Sequence, residues 1–137
     1  VKRFEVIEHT ADIGIVAYGT DLKEAFANVA YGVFSLITDL DKVRETVCQE
    51  VEVAAEEQES LVVVWLNELI YLMDTENMLF KRFEISELSD TRLKAWSYGE
   101  KMDPHRHNLK MGVKAATYHM LQIEKDELYR IQVILDV

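Results

Sequence analysis

Between Asp21 and Thr38 the apolar residues Leu22, Ala25, Phe26, Val29, Ala30, Val33, Phe34 and Ile37 recur at i, i+3, i+4 and i+7 without a break. That spacing fits a helix of 3.6 residues per turn, because a strand alternates every second residue. Asp21 followed three positions on by Glu24 makes a capping-box-like start, in which side chains satisfy N–H groups that the first turn leaves over. Gly32 inside the helix costs about 1 kcal/mol against alanine, so its presence predicts close packing against a sheet. The helix ends in the acidic loop Thr38-Asp39-Leu40-Asp41, where Asp39 is a candidate for a role beyond the loop. An amphipathic helix has to lay its apolar stripe on a second layer, and the flanking segments must supply it.

Residues 3–8 and 13–19 are rich in Val, Ile, Phe and Tyr and read as short strands. The second is apolar on both faces, with Ile13, Ile15 and Ala17 on one and Val16 and Tyr18 on the other, which predicts a central strand. Glu8-His9-Thr10-Ala11-Asp12 joins the two as a tight turn, and a turn sets polar side chains at a sheet end. Residues 47–55 alternate Val47, Gln49, Val51 and Val53 against Cys48, Glu50 and Glu52, the pattern of an edge strand with an acidic outer face.

Residues 60–73 form a second helix, striped by Val62, Trp65, Leu66, Leu69, Ile70 and Met73 and widened by Leu61, Val63, Val64 and Leu72. Apolar girth of this extent predicts burial between sheet and neighbouring helix in preference to a partner surface. Residues 79–85 and 92–100 read as a strand pair around a turn at 86–90. Residues 114–124 alternate Ala116, Tyr118 and Met120 against Thr117, His119, Leu121 and Ile123, with room for a helical turn in 109–116. A compact turn at 125–127 leads to a last strand at 128–135. The sum is a single α+β domain, with two amphipathic helices packed on a largely antiparallel β-sheet of about seven strands.

Charge narrows the functions open to such a domain. The net charge is −10, and no run of basic residues exceeds two, whereas a phosphate-tracking surface needs clustered Lys and Arg. Tight direct binding of nucleic acid is therefore not expected, and an acidic surface suits a basic partner or cations. No apolar run approaches the ~18 residues of a membrane span. The opening Val1-Lys2-Arg3-Phe4-Glu5 lacks the apolar block of a secretory signal. With Cys48 as the one cysteine there is no intrachain disulfide, and the cytoplasm is the expected compartment.

The chain has no Gly-rich phosphate loop, no His-Glu-x-x-His and no Gly-x-Ser-x-Gly. The loop 101–108 carries His105 and His107 at a spacing that zinc sites do not favour, and both read as solvent-exposed. Oxygen donors stand at the two ends instead. Asp12 opens a strand, Asp136 closes one, and Val137 adds a terminal carboxylate. If those strands neighbour each other antiparallel, or through one intervening strand, the acids and the terminal carboxylate converge on one edge, where hard cations such as Ca²⁺ and Mg²⁺ bind. Carboxylates gathered there repel one another unless a cation lies among them.

His9-Thr10-Ala11-Asp12, the helix from Ala25-Phe26 to Phe34, Trp65-Leu66-Asn67-Glu68-Leu69, Gly99-Glu100, Arg106-His107, Val113-Lys114-Ala115-Ala116-Thr117-Tyr118-His119 and Asp136-Val137 resemble the archease family, in order and over essentially the whole chain. The resemblance implies a protein cofactor, not itself an enzyme, of the RtcB-type tRNA-splicing ligase. Such a cofactor promotes guanylylation of the ligase's active-site histidine, allows multiple turnover and broadens the nucleotides used. The resemblance also implies a divalent cation, Ca²⁺ foremost with Mg²⁺ or Mn²⁺ also suited, held by Asp12, Asp136 and an oxygen of Val137. His9, Lys114 and His119 are supporting candidates that would orient the acids or satisfy buried groups, with Asp39 and His107 as further supporting candidates. Two other readings stand beside this one. One is a metal-dependent hydrolase with Asp12, Asp136 and a histidine base. The other is a chaperone-like module offering the second helix as an apolar surface.

Overall fold

A computed structural model of the chain describes residues 2–9 and 12–137, with His9 described by its backbone alone. The turn expected across residues 8–12 therefore falls, at Thr10 and Ala11, outside the described residues, as does any role of the His9 side chain. In chain order the elements are β1 (Phe4–His9), β2 (Asp12–Gly19), α1 (Leu22–Ile37), a 3₁₀ turn (Leu40–Lys42), β3 (Val47–Ala54), α2 (Gln58–Glu76), β4 (Met78–Leu88), β5 (Arg92–Lys101), β6 (Ala115–Lys125) and β7 (Tyr129–Asp136).

Two helices and seven strands match the predicted inventory, but the strands divide between two antiparallel sheets, ordered β1-β2-β7-β6 and β3-β5-β4. The first sheet is assembled from the two ends of the chain and the second from its middle. β2 is central and β3 lies at an edge, as their apolar and half-acidic patterns predict.

Each helix touches both sheets. α1 lies against β1, β2, β7 and β4, and α2 against β6, β3, β4 and β5. Asp21 caps α1 by accepting the Glu24 N–H at 2.8 Å, and Glu24 reaches back to the Thr20 N–H at 2.8 Å. A Cβ on Gly32 would stand 3.1 Å from Ile15 and 3.2 Å from the Phe4 ring, so the missing side chain is what lets α1 settle on β1 and β2. From α2, Trp65 is fully buried and its indole N–H donates to the Phe26 carbonyl at 3.1 Å. Its ring meets Phe83 edge-on, and Phe34 meets Phe80 in the same way. Leu61, Val62, Val63, Leu66, Leu69, Ile70 and Leu72 are buried as well, so the wide apolar girth of α2 lies inside. No helix among the described residues is long and apolar enough to cross a membrane.

Residues 109–114 form no helical turn. Leu109 instead makes an isolated bridge with Thr38, and the Lys110 N–H donates to the Ile37 carbonyl at 2.7 Å. The segment is thereby strapped along the end of α1. β6 also departs from simple alternation. Its register against β7 jumps between Thr117 and Gln122, so residues 118–121 face Val133 alone. Met120 takes a φ of 54°, a left-handed conformation that a side chain rarely adopts. Tyr118, His119 and Met120 all turn outward as a result, where the sequence predicts alternate faces. Such bulges bend an edge strand and interrupt its pairing.

Next to the bulge, Asn67 of α2 stands where a further strand would pair. Its side chain accepts the Ala116 N–H at 2.7 Å and donates to the Ala116 carbonyl at 3.3 Å. Asn67→Ala leaves both groups without their partner. The expected loss is about 1–3 kcal/mol of folding stability, read from urea unfolding; an unchanged midpoint would show that water serves Ala116 equally well.

Candidate functional site

β2 and β7 run antiparallel with Ile13 opposite Leu135. One step further in the same register stand Asp12 and Asp136. Asp12 also pairs with His9 across β1–β2, and Asp136 with Ala115 across β6–β7. All four strands of the first sheet thus begin or end on one row. Directly opposed residues of an antiparallel pair share a face, with Cβ atoms about 5 Å apart. Continued one step past Ile13 and Leu135, the ladder would set the two aspartates on one face.

The chain end is fixed at this row. The Lys114 N–H donates to the Asp136 carbonyl at 2.8 Å, and the Thr117 hydroxyl donates to the Ile134 carbonyl at 2.9 Å. Val137 packs partly buried against the core, which holds its own oxygens beside Asp136. The Asp136 side chain is exposed and Asp12 half-buried. Among the described residues, no three His, Cys, Asp or Glu side chains are gathered closely enough to hold a metal by themselves. The oxygen donors near this sheet end are the two aspartates and the main-chain oxygen of Val137. These are hard oxygen donors, the type that Ca²⁺ and Mg²⁺ take.

Asp39 comes to the same end of the molecule. α1 returns antiparallel to β2 and packs through Gly32 on Ile15. α1 ends at Ile37, and Thr38 and Asp39 continue in extended backbone beyond it. Its carboxylate caps the 3₁₀ turn by accepting the Asp41 N–H at 3.1 Å. Lys114 has its side chain exposed on the row. His119 lies on the exposed bulge, where its N–H donates to the Thr117 hydroxyl at 3.3 Å.

His105 is exposed as predicted, but His107 is buried, with 6% of its surface accessible. Its Nδ1 accepts the Asp103 N–H at 2.8 Å, so the ring proton sits on Nε2, which donates to Glu100 at 2.9 Å. The imidazole is thereby held as the neutral Nε2–H tautomer. Glu100, also buried, accepts in addition from the Arg44 N–H at 2.8 Å and from the Arg106 guanidinium. Burial pushes the Glu100 carboxyl upward, yet the donors from Arg44, Arg106 and His107 outweigh it and hold the group down at about 2. His107 is therefore the core of a clasp closing the loop after β5. It is buried because a buried carboxylate needs donors from every side. Glu100 and Asn67 are the two positions the sequence reading does not single out as structural anchors. Glu100 sits six and seven residues before Arg106 and His107, a spacing with no signature in helix or strand.

The profile of the Archease protein family matches residues 4–137. Protein archease of Pyrococcus abyssi is 44% identical over 142 residues, and that of Sulfolobus acidocaldarius is 40% identical over 139 residues. Both alignments cover 100% of this chain and of the relative. The solution structure of Methanobacterium thermoautotrophicum protein 1598 superposes with a TM-score of 0.85 at 38% identity, covering 100% of each chain.

Proposed function

The chain belongs to the archease family, and from that premise we propose that it is a metal-binding protein cofactor, not itself an enzyme, of an RtcB-type tRNA-splicing ligase. In this role it promotes guanylylation of the ligase's active-site histidine, permits repeated turnover and broadens the nucleotides the ligase accepts. Asp12, Asp136 and an oxygen of Val137 hold a divalent cation, Ca²⁺ foremost with Mg²⁺ or Mn²⁺ as alternatives. When bound, the cation supplies positive charge for phosphate or carboxylate oxygens at the ligase active site. The observation that supports this proposal is the β2–β7 register, in which Ile13 pairs with Leu135 so that Asp12 and Asp136 follow at the same sheet end, with Val137 partly buried against the core. The net charge of −10 favours docking on a basic, RNA-handling protein, with the cytoplasm as the compartment. A chaperone-like role through α2 has little support, since most of the apolar residues of that helix are buried.

The test is a ligation assay with ligase, GTP and cleaved RNA, run with and without this protein. Ligation is expected to accelerate and pass beyond one turnover only when both proteins are present. Absence of stimulation sinks the proposal. Phosphate release by this chain alone would favour a hydrolase that uses Asp12, Asp136 and a histidine base.

A further inference from the structure

A pocket of about 240 Å³ opens between the C-terminal ends of α1 and α2 and the segment that follows β5. Its walls include Met73, Met102 and Met111, three of the five methionines in the chain. Leu109 lines it while remaining 52% exposed. Small-molecule sites run from about 300 to 1,000 Å³. This pocket is smaller, its walls are mostly apolar and no basic residue lines it, so neither a nucleotide nor a phosphate group suits it. One large aliphatic side chain does, and methionine walls adapt to the shape of such an occupant.

Two further features say what brings that side chain. Asp74 lines the pocket with its carboxylate exposed, and it forms no ion pair with any described residue. A basic residue beside the aliphatic one would complete it. The pocket also adjoins the acidic row. Val113 is in its wall, and the next residue, Lys114, donates its N–H to Asp136. A second copy of this chain, itself at −10, would bring like charge against Asp74 and Asp136, whereas a basic partner is drawn there.

We propose that this pocket is the anchoring site for the ligase, taking one leucine, isoleucine or methionine side chain from a ligase segment while Asp74 pairs with a lysine or arginine next to it. The proposal rests on the function proposed above and adds the surface and the chemistry of the contact.

Gly112 provides the test. A Cβ at this position meets nothing within 4 Å, and its φ is not positive, so Gly112→Leu sets a bulky side chain on the pocket lining without straining the backbone. Ligase binding to the full-length variant is measured by calorimetry, beside its melting temperature and its Ca²⁺ affinity. The expected result is a Kd for ligase weaker by about tenfold or more, with melting and Ca²⁺ affinity unchanged. Asp74→Asn is expected to weaken binding about two- to fivefold at low salt, with the difference closing at high salt. Binding by Gly112→Leu within twofold of the original overturns the proposal. So does a dimer, seen by light scattering, that this substitution dissociates, since the occupant is then a second copy. If Gly112→Leu melts early, Leu109→Ser combined with Asp74→Asn is judged by the same Kd criterion. Should the unsubstituted protein neither bind nor stimulate the ligase, function and pocket fall together. Should it stimulate and Gly112→Leu stimulate equally, the pocket alone falls.

Discussion

Asp136→Ala is expected to abolish stimulation of the ligase and to lower divalent-cation affinity by at least about 100-fold, while the fold persists. Changing a residue that merely orients a ligand costs 10–100-fold in metal affinity, so loss of a charged ligand should cost no less. The Asp136 side chain is exposed, and what ties its position into the sheet is its carbonyl, which accepts the Lys114 N–H. Alanine keeps that carbonyl. Exposed substitutions away from packed features stay within about 0.5 kcal/mol, so the melting temperature should hardly move. Asp136→Asn retains an oxygen and drops one charge, and it should fall between the two. A Ca²⁺ titration by calorimetry together with the ligation assay checks all three proteins. Full stimulation by the alanine variant would remove the acidic row from the mechanism.

Glu100→Gln is the substitution with the largest expected effect on stability. The folded-state carboxyl is depressed from 4.5 to about 2, against burial, by the donors on Arg44, Arg106 and His107. At about 1.4 kcal/mol per unit, that depression corresponds to roughly 3 kcal/mol. Because the folded value lies below the unfolded one, the contribution is complete above pH 4.5 and is lost as pH falls toward about 2. The stability gap between the original protein and Glu100→Gln should therefore be widest at neutral pH and close in strong acid. Urea unfolding at a series of pH values measures it, and a gap that stays constant with pH would mean that the charge of Glu100 is not what holds the clasp. Loosening the clasp also frees the loop that leads to Gly112 and Lys114, so ligase stimulation by the variant should weaken at neutral pH.

Local pattern made much of this legible. The period of α1, the two-sided apolar β2, the acidic edge of β3 and the burial of α2 are all written in residue spacing. The division into two sheets is not. Alternation marks a strand, but it says nothing about which distant strand pairs with it, and the two ladders differ only in their non-local partners. For Asp12 and Asp136 the chemistry is readable while their meeting is conditional, since it needs β2 beside β7. The outward turn of Tyr118, His119 and Met120 comes from extra backbone and a left-handed Met120, which an alternating pattern hides. His107 is misjudged for a related reason. A polar loop holding the single proline looks exposed, and only the buried Glu100 carboxylate draws the imidazole inward.

Since the first sheet is knitted from opposite ends of the chain, its making has a natural order during synthesis. The hairpin of β1 and β2 emerges first, and one side of β2 stays unsatisfied until β7 leaves the ribosome. Meanwhile β3, α2, β4 and β5 can assemble from neighbours in sequence, the faster kind of contact to form. A nascent chain arrested before β7 would carry a finished middle and an open, adhesive β2 margin. Asp12 and Asp136 would then come to one sheet end only once β7 has joined β2.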